Sequence, residues 1–124
     1  MSKVLVVDDD EAFRILYRNW LDQEYKITLV SSGCEAIECF RRVRPDLVVL
    51  DTHTPETHGL GTIQQILSID SQVPIILHSS YSSHKDNFQS WSADAYVEKS
   101  TDLSELKQNI KTLLAGSRRP IQKV

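Results

Sequence analysis

Five short apolar runs punctuate the chain, and longer stretches of mixed polarity separate them. The runs cover residues 4–7, 27–30, 47–50, 74–78 and 95–97. Several are rich in β-branched residues and nearly continuous rather than alternating, which is typical of strands buried on both faces. The pattern therefore predicts five strands in the interior of a sheet.

Between these runs, apolar residues recur at intervals of three and four, as they do on one face of a helix. The predicted helices cover residues 11–23, 34–43, 60–69, 84–91 and 103–114. Ser32 and Asp102 each stand three residues before a glutamate, a pattern that marks a helix N-terminus. Strands that alternate with helices need crossovers, which make the strands parallel and cover both faces of the sheet. We therefore predict an α/β fold, doubly wound, with three layers.

Length and composition restrict the class of protein. A chain of 124 residues, 40% hydrophobic and 25% charged, has the profile of a single soluble globular domain. No apolar run approaches the roughly 20 residues of a membrane-spanning helix, and we expect no secretion signal. Cys34 and Cys39 fit neither a disulfide framework nor a zinc site, so we expect reduced thiols and a cytoplasmic location.

The net charge of −3 is unevenly distributed along the chain. Residues 117–124 carry three positive charges and no negative ones, so the remainder is more acidic than the whole. An acidic surface argues against nucleic-acid binding by the domain. We expect a domain over residues 1–116 and a basic tail or linker remnant over residues 117–124.

Polar residues follow four of the predicted strands. They are Asp8, Asp9 and Asp10; Asp51; His78, Ser79 and Ser80; and Glu98, Lys99 and Ser100. In an open parallel sheet the carboxyl ends of the strands meet at one edge, where ligands bind. Each residue alone is explained by the polarity of loops, but clustered carboxylates repel one another unless a cation relieves them. An all-oxygen set of ligands suits Mg2+.

A carboxylate, a hard cation, a lysine and a hydroxyl are together the components of phosphoryl transfer. Asp51 follows a buried strand, which would hold it where a phosphoryl donor can approach in line, and an aspartate can accept that group covalently. Lys99 would add positive charge and Ser79 a hydroxyl donor. The sequence thus predicts phosphoryl chemistry at this edge of the sheet.

Four motifs in order make the chain resemble the receiver domain of two-component response regulators. They are VLVVDD, PDLVVLD with TP and HG after it, PIILHSS and SADAYVEKS, and the resemblance covers about residues 3–115. The resemblance implies a flavodoxin-like sheet of strand order 2-1-3-4-5. It also implies that Asp51 is the phospho-acceptor and Asp9 a direct Mg2+ ligand. Asp8 would act mostly through water, and the main-chain carbonyl of His53 would complete the protein ligands.

The same resemblance implies a switch rather than an enzyme acting on a separate substrate. Phosphate on Asp51 would draw in Ser79 and Lys99, and Tyr96 would turn inward. The face formed by the helix over 84–91, the fifth strand and the last helix would then bind a partner. The phosphoryl donor would be a histidine kinase or a phosphotransfer protein. The receiver would catalyse its own phosphorylation and dephosphorylation, act on a downstream protein or a linked output domain, and form a phosphorylation-dependent dimer.

Some positions depart from the family pattern, and other functions remain open. Ser100 replaces a proline whose preceding peptide bond is normally cis, and Ser92 replaces a glycine. A pseudo-receiver that binds partners without taking phosphate is the main alternative. A phosphatase of the haloacid-dehalogenase type would need a second acid where His53 stands, and a flavin-mononucleotide binder would need a phosphate cradle where DDDEAF stands. We interpret His58, His78 and His84 as structural or exposed, because their spacing is not that of metal ligands.

Overall fold

The computed structural model describes residues 1–52, 59–80 and 92–116. Its strands are β1 (Lys3–Val7), β2 (Lys26–Val30), β3 (Leu47–Leu50), β4 (Ile75–Ser79) and β5 (Ala95–Glu98). Its helices are α1 (Glu11–Leu21), α2 (Gly33–Val43), α3 (Gly59–Ile69) and α4 (Ser104–Gly116). The helix predicted over 84–91 and the tail 117–124 lie outside the described residues.

The five strands form one parallel sheet of order β2-β1-β3-β4-β5, so the predicted fold class and strand order are confirmed. In the sheet register, Val7 at the end of β1 pairs with Val30 of β2 and Leu50 of β3. Strand order reverses between β1 and β3, and a doubly wound sheet opens its ligand-binding crevice at that point. The residues that follow β1 and β3 therefore lie in the crevice.

Each face of the sheet carries its own hydrophobic core. Leu5 and Val7 of β1 belong to a cluster that continues into α2 and α3, whereas Val4 and Val6 belong to a second cluster with α1 and α4. Because both clusters are buried, residues 4–7 of β1 are all apolar, as the sequence predicted for a strand covered on both sides. The three-layer arrangement follows directly from this packing. None of the helices within the described ranges has the length and apolar character needed to cross a membrane.

Side-chain caps set where the helices begin. The Asp10 carboxylate accepts hydrogen bonds from the N–H groups of Ala12 and Phe13, which starts α1 immediately after the site-forming end of β1. At α2 the Ser32 hydroxyl accepts from the Glu35 N–H at 3.2 Å. The Glu35 carboxylate accepts from the N–H and hydroxyl of Ser31, one residue before the partner that a capping box predicts. These caps satisfy backbone donors that a helix cannot pair internally.

Ser92 adopts a left-handed backbone conformation with φ of 66°, at the position where the family pattern has glycine. We expect Ser92→Gly to raise the free energy of unfolding by about 0.5–1 kcal/mol, because glycine has no Cβ to strain this conformation and the relief of that strain exceeds the additional chain entropy that glycine loses on folding. Urea unfolding measures the change. Ser68→Gly, at an exposed position within α3, is the control and should lower the free energy of unfolding. A loss of stability in Ser92→Gly would contradict the expectation.

Candidate functional site

Three carboxylates converge in the crevice beyond β1 and β3. One oxygen each from Asp8, Asp9 and Asp51 lies within 4.8 Å of the others. Asp8 is fully buried, Asp51 is 8% exposed and Asp9 is exposed. The donor atoms are all carboxylate oxygens, which are the ligands that Mg2+ prefers, and the exposed Asp9 leaves a side open to water and phosphate. The residues present therefore fit the predicted cation.

The main chain holds these side chains in place by extending the sheet ladder past the strand ends. The Asp51 N–H donates to the Val7 carbonyl at 2.9 Å, and the Asp8 N–H donates to the Val30 carbonyl at 3.0 Å. The N–H of Lys99 likewise donates to the carbonyl of Ser79 at 2.8 Å. Residues that the sequence places at the tips of separate strands are thus fixed relative to one another by backbone hydrogen bonds.

Lys99 brings the positive charge to this cluster. Its Nζ lies 2.8 Å from Asp8 Oδ2 and 3.2 Å from Asp51 Oδ2, with only 6% of the side chain exposed. The ring of Phe13 covers the ammonium group at 4.5 Å, a cation–π contact. Burial acts to lower the pKa of Lys99, but the hydrogen bond with Asp8 and the charge of Asp51 outweigh it and hold the pKa above its ordinary value. The described residues contain no cis peptide bond, so the peptide bond between Lys99 and Ser100 is trans.

Ser79 lies at the carboxyl end of β4 and is fully buried. Its Oγ is 2.9 Å from Thr52 Oγ1, on the residue after Asp51. Tyr96 of β5 is half-buried and packs against the core beside α2 and α3. Burial raises the pKa of Tyr96, and a hydrogen bond with Ser79 acts in the opposite direction. The hydroxyl of Ser79 therefore connects Thr52, the residue after Asp51, to Tyr96 on β5.

Comparison with known proteins gives the same result as this arrangement. The family model for the response regulator receiver domain matches residues 4–111 of this chain. The chain belongs to the response regulator receiver family. It is 35% identical over 115 residues to response regulator MprA of Mycobacterium leprae, a match that covers 90% of this chain and 50% of that protein. The receiver domain thus spans about half the length of this curated relative.

Solved structures resemble this receiver domain along almost its whole length. Response regulator protein TrrA from Thermotoga maritima, in complex with Mg2+–BeF, is 37% identical, with a TM-score of 0.84 over 91% of this chain and 99% of that chain. TrrA in complex with histidine kinase ThkA is also 37% identical, with a TM-score of 0.82 over 92% of this chain and 99% of that chain. The fold and the family are the same in both comparisons.

Within the receiver domain, the structure brings together most of the predicted site. The residues it gathers are Asp8, Asp9, Asp51, Ser79, Tyr96 and Lys99. His53, predicted to supply a carbonyl ligand, lies outside the described residues, as do His58 and His84. The contact of Lys99 with Asp8 is shorter than its contact with Asp51. Sequence reasoning did not predict the contact of Lys99 with Asp8.

Two buried residues beneath Asp8 were missed as parts of the site. The Tyr17 hydroxyl lies 2.8 Å from Asp8 Oδ2 and 2.7 Å from His78 Nδ1. Tyr17 continues the apolar stripe of α1 with Phe13 and Leu21, which made it indistinguishable from an ordinary core residue. His78 is 1% exposed, so the alternative of an exposed histidine is wrong. The available signal was a histidine inside a buried strand, because a buried polar ring requires a hydrogen-bond partner.

Proposed function

We propose that this receiver domain takes a phosphoryl group onto Asp51 from the phosphohistidine of a histidine kinase or phosphotransfer protein. Asp9 and Asp51 would hold Mg2+ together with the main-chain carbonyl of His53, and Asp8 would contribute mostly through water. The observation that carries the proposal is the convergence of three carboxylates at the crevice of the sheet, two of which, Asp8 and Asp51, pair with Lys99. The likeness to TrrA, solved with Mg2+–BeF and with a histidine kinase, supports it.

Asp51 would act as the nucleophile in this transfer. A carboxylate oxygen of Asp51 forms a bond to phosphorus while the P–N bond of phosphohistidine breaks, and the electron pair returns to the imidazole nitrogen. When bound, Mg2+ neutralises charge on the transferring oxygens. Lys99, 3.2 Å from Asp51, supplies further positive charge on the protein side. The backbone hydrogen bond from Asp51 to Val7 keeps the nucleophile from drifting during the transfer.

Phosphorylation then acts as a switch in the same network. The phosphate adds up to two negative charges, which attract Lys99 away from Asp8 and draw the Ser79 hydroxyl away from Thr52. Because Ser79 also interacts with Tyr96, this movement is transmitted to β5. The responding face would comprise residues 84–91, β5 and α4.

The wider assignment follows from the same proposal. Residues 1–116 would form the receiver and residues 117–124 a basic tail or linker. Signalling would pass to a downstream protein or a linked output domain, with dimerisation upon phosphorylation. A cytoplasmic location agrees with Cys34 and Cys39, neither of which forms a disulfide. The receiver would catalyse its own phosphorylation and dephosphorylation, without a separate substrate and without binding nucleic acid itself.

Incubation with acetyl phosphate and Mg2+, followed by intact mass measurement, tests the proposal. We expect one labile phosphate on the wild type and none on Asp51→Asn or on the wild type with excess EDTA. Asp46→Asn is the matched control. Asp46 lies at the amino end of the same strand and accepts a hydrogen bond from the Lys3 N–H at 2.8 Å, and this variant should be phosphorylated.

The other outcomes of that experiment contradict the proposal in different ways. A wild type that takes no phosphate would favour the pseudo-receiver that only binds partners. Equal phosphorylation of Asp51→Asn would move the acceptor elsewhere. Turnover of many phosphoesters by the wild type would favour a phosphatase.

A further inference from the structure

We propose that the buried pair of Tyr17 and His78 is a positioning device that fixes the Asp8 carboxylate and thereby sets the affinity of the site for Mg2+. The inference rests on the proposed function, in which Asp8 belongs to the metal site. Tyr17 and His78 are buried and would act on the site through Asp8, so they are positioning residues rather than catalytic ones.

The pair and Asp8 come from three separate parts of the fold. Tyr17 comes from α1, His78 from β4, and Asp8 follows the end of β1. Tyr17 and Asp8 are fully buried and His78 is 1% exposed. The rings of Tyr17 and His78 meet edge to face with centroids 5.6 Å apart, and Phe13 packs against His78 in the same way at 5.7 Å. The rings therefore have little freedom to leave these hydrogen bonds.

The direction of the hydrogen bonds follows from proton counting. The Tyr17 hydroxyl has one proton, and an ionised carboxylate can only accept, so the hydroxyl donates to Asp8 Oδ2 at 2.8 Å. The hydroxyl oxygen can then only accept from His78 Nδ1 at 2.7 Å. His78 must therefore carry its proton on Nδ1, and the chain of donors runs from His78 through Tyr17 to Asp8.

The protonation states agree with this direction. Burial, reinforced by the negative charge of Asp8, raises the pKa of Tyr17 far above its ordinary value, so the hydroxyl stays protonated and remains a donor. Burial, with the positive charge of Lys99 adding to it, lowers the pKa of His78 to about 4. His78 is therefore neutral at pH 7, with a single ring proton whose place the hydrogen bonds decide.

The pair matters because Asp8 has a limited set of donors. Oδ1 accepts from the Asp10 N–H at 2.9 Å, while Oδ2 accepts from both Lys99 and Tyr17. When Lys99 moves toward a phosphate on Asp51, Tyr17 remains as the side-chain donor to Oδ2. The orientation of the carboxylate then persists through the phosphorylation cycle. Hydrogen-bond partners of metal ligands commonly contribute 10–100-fold to metal affinity.

Calorimetric titration with MgCl2 tests the inference on the unphosphorylated protein. We expect Tyr17→Phe and His78→Leu to raise the dissociation constant for Mg2+ by about 10-fold or more. His78→Asn should recover most of the affinity, because its amide N–H occupies the place of Nδ1–H and can donate to Tyr17. Tyr25→Phe, at a half-buried tyrosine in the loop between α1 and β2, is the control and should bind Mg2+ as the wild type does.

The outcomes separate this inference from the function on which it rests. Unchanged affinity in Tyr17→Phe, with Mg2+ binding intact in the wild type, would overturn the inference and leave the proposed function standing. A wild type without Mg2+ binding would overturn both. Should the variants fail to fold, 15N NMR of His78 in the wild type still decides: a proton on Nδ1 supports the donor chain, and a proton on Nε2 alone refutes it.

Discussion

Replacing Lys99 with methionine should lower the free energy of unfolding by about 3–5 kcal/mol in the absence of Mg2+, which is the usual cost of removing one partner from a buried ion pair. Lys99 neutralises two carboxylates at once, at 2.8 and 3.2 Å, and its side chain is only 6% exposed. Without it, Asp8 is left fully buried beside two further carboxylates. Methionine keeps the packing against Phe13, so the loss measures charge rather than volume.

Chemical denaturation with and without Mg2+ measures this effect. Mg2+ should restore part of the lost stability, because the ion supplies charge to the same cluster. Lys107→Met is the matched control, since Lys107 pairs with Glu24 at 2.6 Å on the surface, where both side chains are substantially exposed. That pair should contribute no more than about 1 kcal/mol. Equal losses in the two variants would contradict the view that the acidic crevice depends on Lys99.

Combining Lys99→Met with Asp8→Asn distinguishes charge imbalance from simple loss of contacts. An amide at position 8 carries no charge that Lys99 must balance, and its single oxygen can still accept from one of the two donors that reach Asp8, Tyr17 at Oδ2 or the Asp10 N–H at Oδ1. We therefore expect the double variant to be more stable than Lys99→Met alone. A double variant that is less stable, by the sum of two independent losses, would show that repulsion between carboxylates is not the dominant effect.

Acidification should destabilise the wild type through His78. The pKa of His78 is about 4 in the folded protein and about 6.5 in an unfolded chain. Between these pH values His78 binds a proton in the unfolded state but not in the folded state, so the free energy of unfolding falls as the pH falls. The contribution from neutral His78 is fully present above about pH 6.5 and is lost toward pH 4, with a total on the order of 3 kcal/mol.

Urea unfolding of the wild type and His78→Asn at pH 7 and pH 4.5 isolates this contribution. Carboxylates titrate in both proteins, so the difference in their pH dependence reports the histidine. His78→Asn should be the less pH-sensitive of the two over this interval. Identical pH dependence would mean that His78 charges without penalty, and hence that the Tyr17 contact does not constrain it. Asp8, Lys99 and Tyr17 surround the ring, and the negative charge of Asp8 only partly offsets the cost of burial.

The sequence alone determined the fold class of this protein and the arrangement of its sheet. Continuous apolar runs such as Leu47–Leu50 mark buried strands, and because helices separate them, the sheet had to be parallel and covered on both sides. The placement of Asp51 and Lys99 at strand ends followed from the same reasoning, since parallel strands present their carboxyl ends at one edge. These are local periodicities combined with connection rules, and they require no knowledge of side-chain contacts.

Only the tertiary structure decided how the acidic cluster is held. Tyr17 and His78 are 61 positions apart, and their contact depends on how α1 packs against the sheet. A tyrosine on an apolar stripe looks the same in sequence whether its hydroxyl meets solvent or a carboxylate. The distance from Lys99 Nζ is likewise shorter to Asp8 than to Asp51 by only a fraction of an ångström, and the two carboxylates follow neighbouring strands. Pairing among buried polar groups is set by packing across the whole domain, and residue spacing along the chain does not encode it.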